Sequence, residues 1–600
     1  NTAAARLVNI VNKTSGGVTL SGNLSGTGSS TGLNVQNNTT NGTLAFTGGS
    51  KVLTTGANPA VTLDNNDNAT INFSGGGLAI TTTSGTGFTA LNGATAINVT
   101  GTGNTITSTT GTALNVNNST IGGAGLTFQS IAANGGSNTG IILDTTGSLG
   151  GLTVSGTGSA GSGGTIANKT GADGSTSTGI GVYLNNTRNV SLGRMQLNDF
   201  QNFAIRGSNV VGFSMSNTVI NTAVATNANG TNDVPPFNEG NISFTNLTGA
   251  ASLSNCTISR GFADNFRLVN SSGTLNRLVF DTVTMGANSN SGNDSILIEG
   301  TSNATLNVTV QNSTFTGAAG DLFNYILNGN NTGDLVFTGN TLSNNHPVIA
   351  TGGGGVTVVS GNNVGAGATF TFDMSNNTFR DAVGTAVLIV KSTDPGSVIG
   401  TFANNSIGVQ AVANSGSAEG SGLKLQSVGL GTMTVAVTNN SIRQYNNFGI
   451  EVLAGGSATP QGGVINTTVT GNLIAEPGNT VGTEALSKNG IHYNIGTVVG
   501  DTYQACALIG GAGALANNIH LSGKDGIPPT GLGDVDFRIR NRRVGVNIRL
   551  PGYAGPTGAG AATDADINGY LAPRNSTGGT PVGAAHGVTG TYTGTGTTCP

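Results

Sequence analysis

The stretch Gly422–Val452, GLKLQSVGLGTMTVAVTNNSIRQYNNFGIEV, contains one structural repeat and the beginning of the next. Apolar residues alternate with small or polar residues in two short runs, and the second run ends at a corner made by Asn439 and Asn440. Period-two alternation interrupted by Gly and Asn predicts short strands. The Gly-aliphatic starts at Gly422 and Gly449 are 27 residues apart, too far for hairpin partners. The spacing predicts a strand that returns above itself after one circuit, which is one coil of a parallel β-solenoid.

Similar strand starts recur along the chain and set the expected number of coils. They lie near Ala5, Gly32, Ala60, Ala90, Ala113, Gly140, Gly179, Ala204, Gly240, Asn265, Ser295, Leu322, Gly352, Ala386, Gly422, Gly449 and Gly490. The average spacing is about 30 residues, and the scatter is expected where strands are fixed and loops vary. The sequence therefore predicts an all-β fold of about seventeen coils.

Asn-containing corners form the second repeated signature. They read SNTVI from Ser216, SNCTI from Ser254, QNSTF from Gln311, TGNTL from Thr338, SNNTF from Ser375, ANNSI from Ala403, TNNSI from Thr438 and TGNLI from Thr470. Asn tolerates the left-handed backbone of a tight corner. Its amide also bonds to an identical group one coil away, so the corners predict an Asn ladder.

Composition excludes several classes of protein. The chain has 600 residues, 100 of them Gly, no Trp and 8% charged residues. Regularly spaced β-branched and aromatic residues argue against disorder. A net charge of -4 gives no reason to expect nucleic acid as a partner, and no apolar run approaches the ~18 residues of a transmembrane segment. The start at Asn1 lacks a signal-peptide pattern, so we expect a mature or excised piece of a longer precursor.

These repeats and corners resemble right-handed parallel β-helix proteins, including bacterial surface adhesins and autotransporter-like passenger regions. The resemblance covers residues 1 to about 525 and implies a right-handed coil. It implies little about activity, because this fold carries pectin-degrading enzymes, tailspikes, adhesins and structural rods alike. The chain contains neither the Gly-His-Gly of polygalacturonases nor the Arg-x-Pro-x-x-Arg of pectate lyases.

Three regions differ in composition. Residues 1–175 are Gly-, Thr- and Ser-rich coils with few charges, and residues 176–525 have regular Asn corners and longer loops, the largest before Gly240 and Gly490. Residues 526–600 break the pattern and form a cap or a module junction. In this region DVDFRIRNRRVGVNIRL, from Asp534, predicts a β-hairpin in which Val535, Phe537 and Ile539 face Val544, Val546 and Ile548 around Asn541 to Arg543. Its other face carries Arg538, Arg540 and Arg549 together with Asp534 and Asp536.

Three cysteines do not make a disulfide framework. Cys256, in SNCTIS, is expected to be a packed thiol at a ladder position. Cys506 and Cys599 both lie in the C-terminal region, and the sequence leaves open whether they pair.

An acidic column is the first chemical candidate. Glu239, Asp264, Asp294 and Asp321 each precede the first residue of a strand in four successive coils. If the register holds, neighbouring carboxylates lie about 5 Å apart. Three roles remain open: bonding to backbone amides at each turn, a calcium site of carboxylate and backbone oxygens, and a glycosidase pair.

A second column contains Lys424, Glu451 and His492 at the outward positions of three successive strand starts. A base, an acid and an imidazole suit proton transfer. A solvated salt-bridge ladder of little energetic weight is the favoured interpretation.

Together these features predict a secreted or surface-displayed structural and adhesive β-solenoid, either an adhesin stalk or a subunit of an extracellular filament or layer. The expected partners are other copies of the chain or surface glycans, and no cofactor is expected apart from the calcium alternative. The competing hypothesis is a polysaccharide lyase or glycoside hydrolase.

Overall fold

The computed structural model describes residues 2, 4–221, 227–289, 292–345, 353–361, 367–477, 488–520, 535–576 and 589–600. Strands make up 51% of the protein and helices 3%, which confirms the all-β prediction. Contacts divide the chain into two compact units. The first contains Asn1–Val269 and Thr274–Asn293, and the second contains Asn270–Gly273 and Asp294–Pro600.

The strands that begin before residue 294 are β1 (Val8–Val11), β2 (Val18–Leu20), β3 (Leu24–Gly26), β4 (Leu33–Gln36), β5 (Thr43–Phe46), β6 (Lys51–Gly56), β7 (Val61–Phe73), β8 (Leu78–Thr82), β9 (Phe88–Val99), β10 (Thr105–Ser108), β11 (Leu114–Asn117), β12 (Ile121–Phe128), β13 (Ser130–Asn134), β14 (Ile141–Asp144), β15 (Leu152–Val154), β16 (Thr165–Ala167), β17 (Ile180–Gly193), β18 (Gln196–Asn198), β19 (Phe203–Ser216), β20 (Val219–Ile220), β21 (Ile242–Ser254), β22 (Thr257–Ile258), β23 (Phe266–Asp281) and β24 (Thr284–Met285).

The later elements are β25 (Ile296–Gln311), β26 (Thr314–Phe315), β27 (Phe323–Leu327), β28 (Thr332–Thr338), β29 (Thr341–Ser343), β30 (Val356–Ser360), β31 (Thr369–Ser375), β32 (Thr378–Arg380), β33 (Val387–Lys391), β34 (Ser397–Ala403), β35 (Ser406–Ile407), β36 (Leu423–Ser427), β37 (Thr432–Thr438), β38 (Ser441–Arg443), β39 (Phe448–Ala454), β40 (Val464–Thr470), β41 (Leu473–Ala475), β42 (Asn489–Ile495), β43 (Gln504–Ile509), a 3-10 helix (Gly513–Leu515), β44 (Asn518–His520), β45 (Phe537–Asn541), β46 (Asn547–Arg549), α1 (Asp564–Leu571), a 3-10 helix (Ala572–Arg574) and β47 (Thr591–Thr593).

Within each unit the strands stack in three parallel columns, and long strands such as β7 and β25 belong to the first and second columns together. In the second unit the first column runs from β25 through β27, β30, β33, β36, β39, β42 and β45. The repeat quoted above is in the predicted register, because Leu423 pairs with Ile450 and Leu425 with Val452. The parallel solenoid-like stacking predicted from the 27-residue spacing is therefore confirmed for this part of the chain.

The core is built from the inward positions of every strand. In β37, Met433, Val435 and Val437 are buried, whereas the residues between them are partly exposed. Glycine at a strand start lets neighbouring coils approach closely. A Cβ added at Gly422 would lie 2.5 Å from Ile442 Cγ2 and 2.8 Å from the carbonyl oxygen of Gly449. The Gly-aliphatic start is thus a packing requirement of the corner.

A continuous ladder of buried asparagines joins the coils of the second unit between the second and third columns. Each side-chain Nδ2 donates to the Oδ1 of the next ladder residue at 2.9–3.1 Å, in the order Asn340, Asn377, Asn405, Asn440, Asn472, Asn517 and Asn575. Each Oδ1 after the first also accepts the backbone N–H of the preceding ladder residue. These bonds confirm the predicted Asn ladder at five of the eight predicted corners, those from Thr338, Ser375, Ala403, Thr438 and Thr470. At the corners from Ser216, Ser254 and Gln311 the ladder position holds Thr218, Cys256 and Ser313 instead.

The corners divide their work between two adjacent residues, a refinement that the prediction did not make. The residue before five of the seven ladder asparagines takes the left-handed backbone, as in Asn376 (φ 59°), Asn404 (φ 56°) and Asn439 (φ 57°), whereas Ala516, before Asn517, is extended. The following Asn is buried and makes the ladder bonds. In each Asn-Asn pair, the first residue therefore adopts the left-handed backbone of the corner, and the second makes the ladder hydrogen bonds.

The predicted C-terminal hairpin is wrong. Strand β45 pairs in parallel with β42, and β46 pairs in parallel with β43 and β47. These strands continue the first and second columns, so Phe537 stacks on Ile491 rather than facing Val546 or Ile548. Asp534, where the hairpin was predicted to begin, lies outside the described residues.

Helix α1 follows this last coil and meets the end of the Asn ladder. Asn575 accepts from Asn517 and donates through Nδ2 to the carbonyl of Leu571 at 2.9 Å, so the ladder ends on the last turn of the helix. The Arg574 guanidinium donates to the carbonyls of Ile509 and Gly510 and lies 4.9 Å from the ring centroid of Tyr570. A short helix, which was not predicted, therefore lies at the end of the ladder.

The cysteines are now assigned. Cys506 and Cys599 form a disulfide that holds the last residues against β43, settling the pairing that the sequence left open. Cys256 is a free, buried thiol, as predicted. Its Sγ–H donates to the carbonyls of Met215 and Ser254, and burial raises its pKa to about 11.

The division of the chain between the two compact units falls near residue 293. The predicted boundaries at residues 175 and 525 stay predictions. Of the two large loops, residues 222–226 and 478–487 lie outside the described residues, as does the expected boundary at 526.

Replacing Asn440 by Ala is expected to lower the stability of the second unit. The change removes acceptors for Asn405 and leaves the buried carbonyl of Phe402 without its 2.9 Å donor. Each orphaned buried polar group costs about 1–3 kcal/mol, and thermal unfolding followed by circular dichroism measures the sum. Asn439→Gly is the matched control, because it keeps the left-handed corner and leaves the ladder intact. Equal melting temperatures for the two variants would contradict the ladder's role.

Candidate functional site

In the first unit, the predicted acidic residues Glu239 and Asp264 each contact a different set of neighbouring groups. The Glu239 carboxylate is fully buried and accepts the backbone N–H groups of Gly174 (2.7 Å), Thr231 (3.0 Å) and Asn232 (3.1 Å). Asp264 lies 3.7 Å from the Arg267 guanidinium in an ion pair. Glu239 thus joins the loop before β21 to residues near 174.

The two acidic positions of the second unit are linked to each other through backbone. Asp294 accepts the N–H of Asp321 at 2.8 Å and the side-chain amide of Asn324 at 2.9 Å. Asp321 accepts the N–H of Gly354 at 2.8 Å. Burial raises the pKa of Asp321, and hydrogen bonds from Thr357 and Gly354 oppose that rise. The contacts match the turn-bonding role among the three that the sequence left open.

A metal site would need several ligands around one point. Within the described ranges, no three His, Cys, Asp or Glu side chains come together as a group that would hold a metal ion. The calcium alternative therefore has no ligand cluster in the part of the chain that the structure describes.

The second predicted column is in register. Lys424 pairs with Glu451, Glu451 with His492, and His492 with Arg538 on successive strands of the first column. Lys424 Nζ lies 3.4 Å from Glu451 Oε2, and the Ser421 hydroxyl donates to the same oxygen at 3.1 Å. The expected solvation is wrong, because Glu451 is 8% exposed and His492 5% exposed.

His492 is a buried imidazole in a cationic environment. Burial, together with the charges of Arg538, Arg540, Lys424 and Arg542, lowers its pKa to about 3. Its ring centroid lies 4.1 Å from that of Phe448. Both ring nitrogens lack a hydrogen-bond partner within the described structure. The imidazole is therefore neutral at neutral pH and retains one N–H donor and one acceptor.

Four arginines lie beside this column, at positions 538, 540, 542 and 543. Arg538 and Arg540 were predicted to lie on one face of a hairpin. Arg542 and Arg543 were predicted to lie in its turn, and no other role was predicted for them. The signal was present, since four of the 22 Lys and Arg residues of the chain fall within the six positions 538–543. The sequence did not predict that β45 pairs with β42. This pairing brings Arg538 next to His492, 46 residues earlier in the chain.

A cleft of about 410 Å³ adjoins the arginines. Arg542 and Arg543 form one side with Val544 and Gly545, and residues 499–502 form another with Thr589. Asp501, the carboxylate in this lining, accepts the N–H groups of Gln461 and Val498 at 2.8 Å each. Its charge is thus committed to backbone donors.

The chain matches no protein-family model, no curated protein and no solved structure. In the regions that the structure describes, none of the helices has the length and apolar character needed to cross a bilayer.

Glu239→Ala is expected to destabilise the first unit by about 2–4 kcal/mol, because three backbone N–H groups lose a buried, charged acceptor. Thermal unfolding in calcium and in chelator measures both this loss and the calcium alternative. We expect the wild-type protein to melt at the same temperature in the two buffers. A higher melting temperature in calcium that disappears in Asp294→Asn would contradict the turn-bonding role.

Stability should fall as the pH drops from about 6.5 towards 4, because the unfolded chain protonates His492 while the folded protein keeps it neutral. The folded pKa is lowered to about 3, so the unfolded state binds more protons throughout this window. The difference in melting temperature between wild type and His492→Gln, measured at several pH values, isolates this group from the carboxylates. An acid sensitivity identical in both proteins would show that His492 is not buried as described.

Proposed function

We propose that this protein is an extracellular structural or adhesive β-solenoid, a right-handed parallel β-helix of about seventeen coils. It would serve as the stalk of a bacterial surface adhesin or as a subunit of a filament or layer. The observation that carries the proposal is the unbroken Asn ladder from Asn340 to Asn575.

The ladder favours a load-bearing role for a physical reason. Each ladder amide satisfies its donors and acceptor on neighbouring coils, so no coil can open without exposing buried polar groups on two others. The parallel strand pairs add backbone hydrogen bonds at every level. Such coupling resists local opening, which is a requirement of a scaffold.

The outer surface supports the same proposal. On the third column of the second unit, the outward positions carry a row of hydroxyl side chains: Thr314, Thr341, Thr378, Ser406 and Ser441. A repetitive, uncharged and polar face suits contact with a hydrated surface or a carbohydrate. The Cys506–Cys599 disulfide supports an oxidising, extracellular location, because structural disulfides are rare in reducing compartments.

The alternative, a polysaccharide lyase or hydrolase, needs carboxylates free to exchange protons with substrate. The acidic residues singled out from the sequence instead bond to backbone amides or to a neighbouring cation. These contacts do not favour the enzymatic alternative.

Electron microscopy of the purified protein over a range of concentrations tests the proposal together with a polysaccharide panel. For a filament or layer subunit we expect ordered assemblies that become more abundant with concentration. For a stalk we expect separate particles that bind glycans on an array without cleaving them. New reducing ends or unsaturated sugars released from any polysaccharide, and lost in Glu451→Gln, would contradict the structural proposal.

A further inference from the structure

Arg538, Arg540, Arg542 and Arg543 form an arginine cluster on the last coil, in which Arg538 is 9% exposed and the other three are partly exposed. In β45 the inward positions are the buried Phe537, Ile539 and Asn541. Arg538 and Arg540 therefore point to the opposite face, about 7 Å apart along the strand. Arg542 and Arg543 follow at the end of the strand and line the 410 Å³ cleft.

In the described part of the protein, Arg538, Arg540 and Arg542 take part in no ion pair. Burial lowers the pKa of all three guanidinium groups, and neighbouring guanidinium charges within the cluster lower each of them further. Like charges repel at short range, so the guanidinium groups of the cluster destabilise one another. A bound anion would reduce this repulsion.

The neighbouring carboxylates are committed elsewhere. Glu451 pairs with Lys424, two coils away from Arg538. Asp501 accepts two backbone N–H groups. The exception is Asp536, which is fully buried and lies two residues before Arg538 in the chain. The positive patch thus stands on a chain whose net charge is -4.

The coil that precedes the cluster presents neutral hydrogen-bonding groups. His492 is in register with Arg538, and Asn494 with Arg540. Both ring nitrogens of His492 and the Oδ1 of Asn494 are buried without a partner in the described regions. A buried, unpartnered imidazole beside an uncompensated guanidinium is an expensive arrangement in a purely structural position.

The cleft beside the cluster has the size and chemistry of a binding site. Its volume lies within the range of about 300–1,000 Å³ that is usual for ligand clefts. Thr502 and Thr589 supply hydroxyl groups, and Gly500 and Gly545 leave backbone accessible. The residues that line it include no aromatic ring.

We infer that the arginine cluster and its cleft bind an acidic glycan, a polysaccharide that carries carboxylate or sulfate groups. Guanidinium groups bind such anions through paired, charge-assisted hydrogen bonds, and the hydroxyl-lined cleft suits a sugar ring. Single-stranded nucleic acid is disfavoured, because its binding sites combine long basic grooves with aromatic stacking platforms. The inference goes beyond the proposed scaffold role and holds whether or not copies of the protein assemble.

Fluorescence anisotropy with labelled oligosaccharides tests the inference on the full chain. The probes are a heparin-derived oligosaccharide, an oligogalacturonate and a neutral dextran oligosaccharide of similar length. The double variant Arg540→Gln/Arg542→Gln changes partly exposed side chains that lack ion pairs, so the fold is expected to survive. The matched control is Arg188→Gln/Arg194→Gln, which removes the same charge from partly exposed residues of the first unit that also donate to backbone carbonyls.

The wild-type protein is expected to bind at least one acidic probe and not the dextran, with an affinity that falls as salt is added. The cluster variant should lose about tenfold or more of this affinity, whereas the control should stay within about twofold, because each charge-assisted bond contributes more than a tenfold factor. Equal losses in both variants, equal binding of dextran, or tighter binding of a single-stranded oligonucleotide of the same charge would overturn the inference. Electron microscopy of the cluster variant separates this result from the scaffold proposal, since assembly should be unchanged.

Discussion

The buried side-chain amide at each corner is the interaction on which the second unit depends. An Asn amide offers two donors and one acceptor, and at Asn405 they are satisfied by the carbonyl of Met374, by Asn440 and by Asn377. The same geometry at the next coil requires the same residue there. The corner therefore fixes its chain position in every coil, while the loops are free to vary in length.

Buried charged side chains, like the ladder amides, make several hydrogen bonds each and so stabilise turns. Lys391 Nζ donates to the Asp394 carboxylate and to the carbonyls of Ser392 and Leu430, and Asp394 also accepts the N–H of Ala368. Burial lowers the pKa of Lys391, which its hydrogen bond to Asp394 opposes. Only 8% of the residues are charged, and several of these side chains form hydrogen bonds with backbone groups at turns. That use explains why acidic residues at strand starts need not indicate catalysis.

Sequence patterns predicted what repeats and failed where the repeat is interrupted. Gly422 and Gly449 gave the register of two coils because an identical corner recurs, and Asn440 was identified as a ladder residue for the same reason. The C-terminal strands were assigned to a hairpin because their alternation is the same in either arrangement. Their partners are β42 and β43, which lie 46 and 43 residues earlier at the paired positions Ile491 and Gln504. Local turn signals carry no information about such distant partners.

The burial of His492 shows why the outer face was harder to predict than the core. Alternation correctly placed it opposite the inward Ile491 and Tyr493, but a pattern of two cannot tell whether an outward position meets water or another part of the chain. Once it is buried next to Phe448 and in register with Arg538, its protonation would add a charge to an already cationic surface. The same coil therefore favours a neutral imidazole and, beside it, an anionic ligand, for a single electrostatic reason.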